Sequence, residues 1–465
     1  MKSKFVTIVA ALTAALSALT LSSCNTVTYD GFTAPNQGES TLKPVSSYYL
    51  ERTEEDVKPV VEKALQTYSS ENGACVIEKK RSYYEVTLDY EKGSPKEVGA
   101  AYAEMILEAY PDYKKMLEDY LYENIREAFG GDVTDYTALK ERISTLKGSL
   151  AKKYQEEMEG FAEVLSDGEE EFQQNGKLSY EEAILINMVP DALRSTACSA
   201  ITVNGNSTES GQRITARFLD WNLGSDNQIC SAQCVTHFKN GDKSFTSVCL
   251  LGMLDVLTAV NPDGLVLGEL DVGTNQNAKF VVEGKTCYSY DLRYAIENFS
   301  TAKEAGQYMV DNAHRYTFSC NALFTDDNDA FCAELCVDEQ DGKPILRDSS
   351  TPMHKGLEWD NPDYFCIVNS FTSAGNSDKL TTMYENIVRW NKYNKLFCPE
   401  KNISLTRFKE LITSEQVEDS SLINCRSSAM VHLLLVDYDT KSVQVLFGSP
   451  GGTKDKIKFI DIGTF

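Results

Sequence analysis

The sequence predicts an α+β protein in which stacked β-sheets are flanked by helices. Apolar residues recur with the 3.6-residue period of a helix through most of the chain up to residue 197. From residue 198 onward, short alternating or fully apolar runs typical of strands dominate instead. The length of 465 residues exceeds that of a usual compact domain, so we expect two or more structural units.

The chain starts with a segment that has the form of an export signal, MKSKFVTIVAALTAALSALTLSSC. Its ending, LSSC, resembles the bacterial lipobox, in which the cysteine is acylated and becomes the mature N-terminus. We therefore expect a signal peptide over residues 1–23, lipidation at Cys24, and a lipid-anchored protein of the bacterial cell envelope facing the periplasm or the exterior. The alternatives are an ordinary secretory signal and an uncleaved anchor. No later run approaches the ~20 apolar residues that a membrane span needs.

A tether and a mainly helical segment follow. Residues 24–44 are polar, contain turn formers and lack periodicity, which indicates a tether. Residues 45–197 are expected to be mainly helical, with one strand in SYYEVTLDYEKG and helical periodicity in EEDVKPVVEKALQTY, in residues 94–129 and in residues 136–166. Ser179 with Glu182 three residues later predicts a capping box at another helix start.

Composition excludes several function classes. With 45 Lys and Arg against 69 Asp and Glu, the net charge of −24 repels nucleic acid and anionic lipid surfaces. The sequence contains 13 cysteines, but Cys332 and Cys336 lie four apart in a strand pattern, too far for a disulfide between them. Because there are four histidines and no paired C-x-x-C motifs, a structural zinc site is poorly supported. We expect most cysteines to be buried free thiols.

The strand-rich part starts with a predicted hairpin. CSAITVNG and QRITARFLDW are two strand-like runs around a polar turn that contains Gly205 and Gly211. Further strands are expected in FTSVCLLGM, VLTAV, LVLGELDV, CNALFTDD, AFCAELCVD, YFCIVNSF, SSAMVHLLLVDYD and SVQVLFG. Helical stretches at 289–313 and about 379–397 interrupt them.

Cys198, which opens this hairpin, is the candidate nucleophile. Small neighbours leave space around its sulfur, and Arg217 and Asp220 lie on the returning strand. A guanidinium beside a thiol favours the nucleophilic thiolate. The alternatives are a core cysteine and a purely structural Arg217–Asp220 ion pair. Because residues three apart point to opposite faces of a strand, a shared site requires this strand to twist or bulge between them.

The nucleophile also needs a base. The four histidines, at 237, 314, 354 and 432, form no recognisable Cys-His pattern. The α-amino group of Cys198 is suited to this role, since its unperturbed pKa is about 7.7–8.0. It becomes available only if the chain is cut between Ala197 and Cys198.

The hairpin around Cys198 and several other segments of the chain resemble a known family. ACSAITVNG followed by GQRITARFLDWN is similar to the choloylglycine hydrolase and acid ceramidase-like N-terminal-nucleophile amidases, which include acyl-CoA:6-aminopenicillanic acid acyltransferases. LDVLTAVNPDGLVLGELDVG, and CIVNSF with Asn369, extend the resemblance downstream. GSPKEVGAAYAEMI, EMEGFAEVL and LSYEEAILINMV extend it upstream, to roughly residues 84–450 in all.

The resemblance implies a four-layer αββα sandwich over residues 198–465, preceded by a pro-segment over 45–197 that stays bound as an α-chain. It implies that Cys198 is the nucleophile, Asp220 orients its amine, Arg217 holds thiolate and substrate, and Asn369 donates to the oxyanion. Self-cleavage at Ala197/Cys198 is implied as well. No metal or organic cofactor is implied.

Several residues depart from the family pattern. Ser199 and Ala200 replace the commoner Thr-Ser pair, and Asp271 stands where bile salt hydrolases have a second oxyanion asparagine. An anion there opposes an oxyanion unless Asp271 is protonated or turned away, or a backbone N–H replaces it. An arginine shortly after the oxyanion asparagine has no close counterpart; Arg389 is the nearest downstream and receives no role.

The resulting expectation is a hydrolase of linear, non-peptide amide bonds in a small N-acyl substrate. An acyltransferase of the same fold and a catalytically inactive surface binding lipoprotein are the alternatives. We expect no nucleic-acid partner and membrane contact only through the lipid anchor. The acyl group, the amine, disulfide pairing and the oligomeric state are left open by the sequence.

Overall fold

The computed structural model describes most of the chain after residue 53. The expected signal peptide and Cys24 lie outside the described residues, as does about half of the expected tether, in which two short strands are described. None of the described helices is long and apolar enough to cross a membrane. The described residues are 25–29, 32–36, 54–169, 171–193, 196–273, 282–357, 359, 361–378, 382–413, 429–448 and 457–465.

The first of two large sheets has ten strands. Its spatial order is β14-β13-β12-β11-β10-β9-β8-β5-β4-β3, and all neighbours are antiparallel except β5 and β8. A separate antiparallel hairpin, β1 (Asn25–Tyr29) and β2 (Phe32–Asn36), precedes it. The ten strands are β3 (Gln66–Ser69), β4 (Cys75–Lys79), β5 (Tyr84–Asp89), β8 (Gln233–Lys239), β9 (Phe245–Leu250), β10 (Thr258–Val260), β11 (Val266–Asp271), β12 (Cys320–Thr325), β13 (Ala330–Leu335) and β14 (Ile345–Arg347).

The second sheet has six antiparallel strands in the order β15-β6-β7-β16-β17-β18. The predicted hairpin is confirmed as its β6–β7 pair, and its turn has positive φ angles at Gly205 and Gly211, which favour glycine. The six strands are β6 (Thr196–Val203), β7 (Ile214–Trp221), β15 (Tyr364–Val368), β16 (Met430–Asp437), β17 (Ser442–Phe447) and β18 (Ile460–Thr464).

Eleven α-helices are described, and shorter 3-10 turns connect some of them. Ser179 and Glu182 form the predicted capping box. The helices are α1 (Pro95–Ala109), α2 (Tyr113–Phe129), α3 (Thr137–Ser149), α4 (Lys152–Leu165), α5 (Tyr180–Leu185), α6 (Val189–Ala192), α7 (Gln228–Ser231), α8 (Tyr288–Asn298), α9 (Ala302–Asn312), α10 (Thr382–Phe397) and α11 (Leu405–Thr413).

The helices and sheets form four layers, which confirms the predicted α+β sandwich. Valines of the ten-stranded sheet, such as Val248, pack against Leu434 and Val445 of the six-stranded sheet. Helices α1–α6, α8 and α9 join the core on the outer side of the ten-stranded sheet. On the outer side of the six-stranded sheet, α10 and α11 pack through residues such as Phe397 and Phe408.

Three helix predictions in this chain were wrong at their boundaries. The helix expected over 94–129 is two helices, because Pro111 follows the last residues of α1 and cannot continue it. The one expected over 136–166 divides at Leu150 and Ala151, both extended in backbone conformation or close to it. The stretch 289–313 is also two helices, α8 and α9.

The segment EEDVKPVVEKALQTY is not a helix, contrary to its periodicity. Only Glu55–Val57 form a 3-10 turn, and the segment then runs extended into β3. Pro59 disfavours a helical conformation at the preceding residue. Backbone pairing also holds the segment out of a helix: the Val60 N–H donates to the Phe459 carbonyl at 2.9 Å, and the Asp461 N–H donates to the Val60 carbonyl at 2.9 Å.

The part of the chain before Cys198 is integral to the sandwich. It contributes β3, β4 and β5 to the ten-stranded sheet, and β5 pairs with β8 along six residues. A buried ion pair joins Glu157 on α4 to Arg293 on α8, whose Nε also donates to Glu297 at 3.1 Å. These contacts connect residues on both sides of the predicted cleavage position.

The cysteines behave as predicted from composition. None of the eleven cysteines within the described residues is in a disulfide, and nine of them are buried. Cys332 lies in β13 and Cys336 follows its end, and neither is in a disulfide.

Candidate active site

Cys198 lies between two neighbouring strands in the middle of the sandwich. It is the third residue of β6 and pairs with Leu219 of β7. On its other side, the β15–β6 ladder ends with Val368 opposite Ser199, so the next residue, Asn369, lies beside Cys198. The Cys198 N–H donates to Asn369 Oδ1 at 2.6 Å. The structure therefore brings together two predicted site residues that lie far apart in sequence.

Arg217 and Asp220 are both close enough to Cys198 to act on it electrostatically. Arg217 lowers the pKa of the Cys198 thiol, whereas the Asp220 carboxylate raises it and the Asp220 backbone N–H lowers it. The β6–β7 register is uninterrupted, so the bulge expected in the strand of Arg217 and Asp220 is not seen in that pair; the neighbouring strand β16 is irregular between Met430 and His432, opposite the end of β7. All four predicted catalytic residues thus lie at one place in the fold.

Arg217 reaches across to the ten-stranded sheet. Its side chain is fully buried, and Nη2 donates to the backbone carbonyl of Glu269 on β11 and, at 3.4 Å, to that of Leu257. Gly268 makes room for it, because a Cβ there would lie 2.6 Å from Arg217 Cγ and 2.7 Å from Nε. Nε and Nη1 have no hydrogen-bond partner among the described residues.

Burial keeps the Cys198 sulfur protonated in the continuous chain. Burial raises the pKa of the Cys198 thiol to about 12, and the carboxylates of Glu269 and Asp220 act in the same direction. Arg217 opposes this shift but does not cancel it. A thiol with such a pKa is a poor nucleophile at neutral pH until a base takes its proton.

A residue that received no role from the sequence, Arg389, also reaches Cys198. Its Nη1 donates to the backbone carbonyl of Cys198 at 2.6 Å and to Asn369 Oδ1 at 3.2 Å. Arg389 lies 20 residues after Asn369, on α10, so distance along the chain hid it. Glu269, which acts on the Cys198 thiol and binds Arg217 through its carbonyl, was also not predicted as a site residue, although the strand LVLGELDV was predicted correctly.

Three polar residues of α10 project onto the site from one helix face. Asn386, Arg389 and Tyr393 recur at intervals of three and four residues, which places them on one side of a helix. Asn386 Nδ2 donates to the Asn369 carbonyl at 3.0 Å, and the Tyr393 hydroxyl lies 2.8 Å from Ser199 Oγ. This polar spacing within a predicted helix is the signal that sequence reasoning left unused.

Asp271 contributes to the site through its backbone. Asn369 Nδ2 donates to the Asp271 carbonyl at 2.7 Å, where β11 ends. The Asn369 amide is therefore oriented by contacts at both ends, with Oδ1 toward the Cys198 nitrogen and Nδ2 toward the ten-stranded sheet. This orientation leaves one hydrogen of Nδ2 for a further acceptor.

His432 lies in the same row of the sheet as Cys198, two strands away. It pairs with Leu219, which in turn pairs with Cys198. Two strand spacings amount to about 9.6 Å, too long for direct proton transfer. Burial and Arg217 hold the pKa of the His432 imidazole well below its usual range, and Nε2 lies 3.0 Å from Thr258 Oγ1.

The described residues contain no group of three or more His, Cys, Asp or Glu side chains arranged to hold a metal ion. The groups that do converge are a thiol, a carboxylate, two guanidinium groups and a carboxamide. This arrangement provides a nucleophile and hydrogen-bond donors for acyl-transfer chemistry.

No family model matches the sequence, and no curated protein matches it. The chain is similar in structure to an N-acylethanolamine-hydrolyzing acid amidase ortholog of Caenorhabditis elegans, with a TM-score of 0.37 and 14% identity over 51% of this chain and 92% of that one. It is also similar to a variant of conjugated bile acid hydrolase from Clostridium perfringens, with a TM-score of 0.33 and 11% identity over 57% of this chain and 92% of that one.

Proposed function

We propose that this protein is a cysteine N-terminal-nucleophile amidohydrolase. In this proposal it cuts itself between Ala197 and Cys198 and then hydrolyses a linear, non-peptide amide bond in a small N-acyl substrate. The supporting observation is the 2.6 Å hydrogen bond from the Cys198 nitrogen to Asn369 Oδ1, next to a buried sulfur. That contact holds the nitrogen that becomes the catalytic amine.

The first chemical step is self-cleavage. The Cys198 sulfur attacks the carbonyl carbon of Ala197, the C–N bond breaks, and the nitrogen takes the proton that the thiol loses. Water then hydrolyses the resulting thioester, which leaves a carboxylate on Ala197 and a free amine and thiol on Cys198. The resemblance of this region to the amidase family and the absence of a nearby histidine base both support this sequence of steps.

Turnover uses the new amine as the base. The amine takes the thiol proton while sulfur attacks the substrate carbonyl, and it then gives a proton to the leaving amine as the acyl thioester forms. Water, activated by the same amine, releases the acid and restores the thiol. A free α-amine suits both transfers because its unperturbed pKa is about 7.7–8.0.

Each neighbouring residue has a proposed role. Asn369 Oδ1 and the Asp220 carboxylate orient the amine, and the second hydrogen of Asn369 Nδ2 donates to the oxyanion. Arg217, with two donors that no described residue occupies, stabilises the thiolate and the substrate. Arg389 fixes the peptide plane after the nucleophile through the Cys198 carbonyl.

The pro-segment, residues 45–197, is proposed to remain bound after cleavage as an α-chain. Its three strands lie within the ten-stranded sheet, so its departure would expose the edge of β8 and much of the core. Export and lipid anchoring at Cys24 belong to the proposal as well. Cys24→Ala should release the protein from the membrane fraction, and a variant that stays as firmly bound would place the anchor elsewhere.

Two alternatives predict different products. An acyltransferase of the same fold would pass the acyl group from the thioester to an added amine in preference to water. An inactive binding lipoprotein would neither cut itself nor turn over amides. Product analysis with and without added amines separates hydrolase from transferase, and self-cleavage separates both from the binding protein.

Self-cleavage is the decisive measurement. Intact mass and denaturing electrophoresis should show two chains that meet at 197/198, and N-terminal sequencing of the second should begin Cys-Ser-Ala-Ile. Cys198→Ala should abolish both cutting and turnover, whereas Cys366→Ala, another buried thiol on the neighbouring strand β15, should leave both intact. A fully active protein that remains one uncut chain would overturn the proposal.

A further inference from the structure

We propose that two buried asparagines, Asn321 and Asn386, are positioning residues that fix Asn369 at the nucleophile; this inference rests on the proposed function above. Positioning residues are needed because the sheet itself does not hold Asn369. The hydrogen-bonded ladder between β15 and β6 ends at Val368, so Asn369 lies one residue beyond the last strand pair. A residue at a strand end is held weakly unless other groups bind its backbone.

Asn321 binds the backbone on both sides of Asn369. It lies on β12 of the opposite sheet, and its Nδ2 donates to the carbonyls of Val368 and Ser370, each at 2.9 Å. The residue is 1% exposed. One carboxamide from the ten-stranded sheet thus holds the two residues that flank Asn369 where β15 ends.

Asn386 binds the backbone carbonyl of Asn369 itself. Its Nδ2 donates to the backbone oxygen of Asn369 at 3.0 Å, and its side chain is buried. Three residues later on α10, Arg389 donates to Asn369 Oδ1. The helix therefore holds both the backbone and the side chain of Asn369 from the side opposite Asn321.

Together the two asparagines hold three successive carbonyl groups, those of residues 368, 369 and 370. Rotation of either peptide plane next to Asn369 would break one of these bonds and move Oδ1 away from the Cys198 nitrogen. Displacement by about 1 Å at a catalytic group can reduce turnover by about 100-fold. The two amides therefore set the geometry on which the proposed amine depends.

The chemistry of Asn321 allows a discriminating substitution. Its Oδ1 has no hydrogen-bond partner among the described residues, so the side chain acts there as a double donor. In Asn321→Asp, an ionised carboxylate donates no hydrogen bond and faces two carbonyl oxygens, whereas a protonated carboxyl donates one. Burial raises the pKa of such a carboxyl, so the defect should grow as pH rises through that raised pKa.

Asn261 supplies a control with the same donor pattern, and its Oδ1 in addition accepts two backbone N–H groups, at 3.2 and 3.0 Å. It is also buried, and its Nδ2 also donates to two backbone carbonyls, those of Ile296 and Phe299, at 3.2 and 2.9 Å. It lies in the turn before β11, whereas the candidate site lies at the far end of that strand, about 17 Å away by strand length. Asn261→Asp therefore removes the same two donors without touching Asn369.

The experiment compares wild type, Asn321→Asp and Asn261→Asp with a chromogenic N-acyl amide across pH 5 to 9, alongside melting temperature and the cut fraction by intact mass. We expect Asn321→Asp to lose about 10- to 100-fold in kcat at high pH, to recover toward low pH, and to keep KM nearly unchanged. Asn261→Asp should also lower the melting temperature while keeping the wild-type kcat profile.

The outcomes separate the two proposals. Wild type that neither cuts itself nor turns over amides contradicts the proposed function. Active wild type with Asn321→Asp and Asn261→Asp indistinguishable in kcat profile contradicts the positioning role alone. If Asn321→Asp does not fold, Asn386→Leu decides: it removes the single bond to the Asn369 carbonyl, and an unchanged kcat would overturn the inference.

Discussion

Gly268→Ala tests the role of Arg217 without changing any charged group. The added Cβ would lie 2.6 Å from Arg217 Cγ and 2.7 Å from Nε. Carbon atoms pack at about 3.5–4.0 Å, so one of the two groups must move by roughly 1 Å. Because both the strand and the arginine are buried, we expect a loss of about 1–3 kcal/mol in the free energy of unfolding.

The same displacement should also reduce activity. Arg217 lowers the pKa of the Cys198 thiol, so displacing the guanidinium should raise that pKa further and disfavour the thiolate. We expect kcat to fall by about 10- to 100-fold. The extent of Cys198 alkylation can be followed against pH by mass spectrometry of the peptide that contains it. The pH midpoint of this alkylation should be higher in the variant than in the wild type.

Gly306→Ala is the matched control for overpacking. A Cβ at Gly306 would lie 2.5 Å from Leu346 Cδ1, in the packing of α9 against the outer face of the sheet. This variant should keep the alkylation midpoint and kcat of the wild type, whatever its change in stability. If Gly268→Ala shows wild-type kcat and alkylation, Arg217 does not act on the sulfur and the reasoning is wrong.

Two further predictions concern stability. Gly160→Ala should lower the free energy of unfolding in urea by about 1–3 kcal/mol, because its Cβ would lie 1.9 Å from the Lys96 carbonyl where α1 and α4 cross. Gly148 has open space around it, so Gly148→Ala should be neutral or stabilising. Equal effects of the two substitutions would refute the close helix crossing. Burial raises the pKa of Asp191 to about 7 and that of the neighbouring Asp255 well above its usual range, so this pair stabilises the fold at low pH and loses that contribution as pH rises through about 7. Because the loss begins at the ordinary carboxyl pKa of about 3.9, Asp255→Asn should raise the melting temperature more at pH 8 than at pH 5, and a rise of equal size at both would contradict this.

Local sequence patterns predicted most elements but not their ends. The strands of the second half and the β6–β7 hairpin follow from alternation and turn residues, which act between near neighbours in the chain. The segment around Val60 shows where prediction from local patterns fails. Its apolar spacing is helical, but a proline and backbone pairing with Phe459 made it extended, and the second of these depends on a residue about 400 positions away.

Resemblance and chemistry in the sequence pointed to Cys198, Arg217, Asp220 and Asn369, and the structure places all four together. Their catalytic roles remain predictions. Arg389 received no role and the two positioning asparagines were not singled out, because the polar spacing of α10 shows that these residues share a helix face but not what that face contacts. Their contacts depend on how α10 and β12 lie against the end of β15.

The sequence by itself determined the class of the fold, the hairpin that presents Cys198, and the chemical types available for catalysis, because these depend on side-chain period and composition. Only the tertiary structure decided which polar groups meet. Asn369 reaches Cys198 across 171 residues because β15 pairs beside β6, and Asn321 reaches Asn369 because the two sheets pack face to face. Such contacts follow from the joint burial of many apolar side chains, a collective property that no local pattern records.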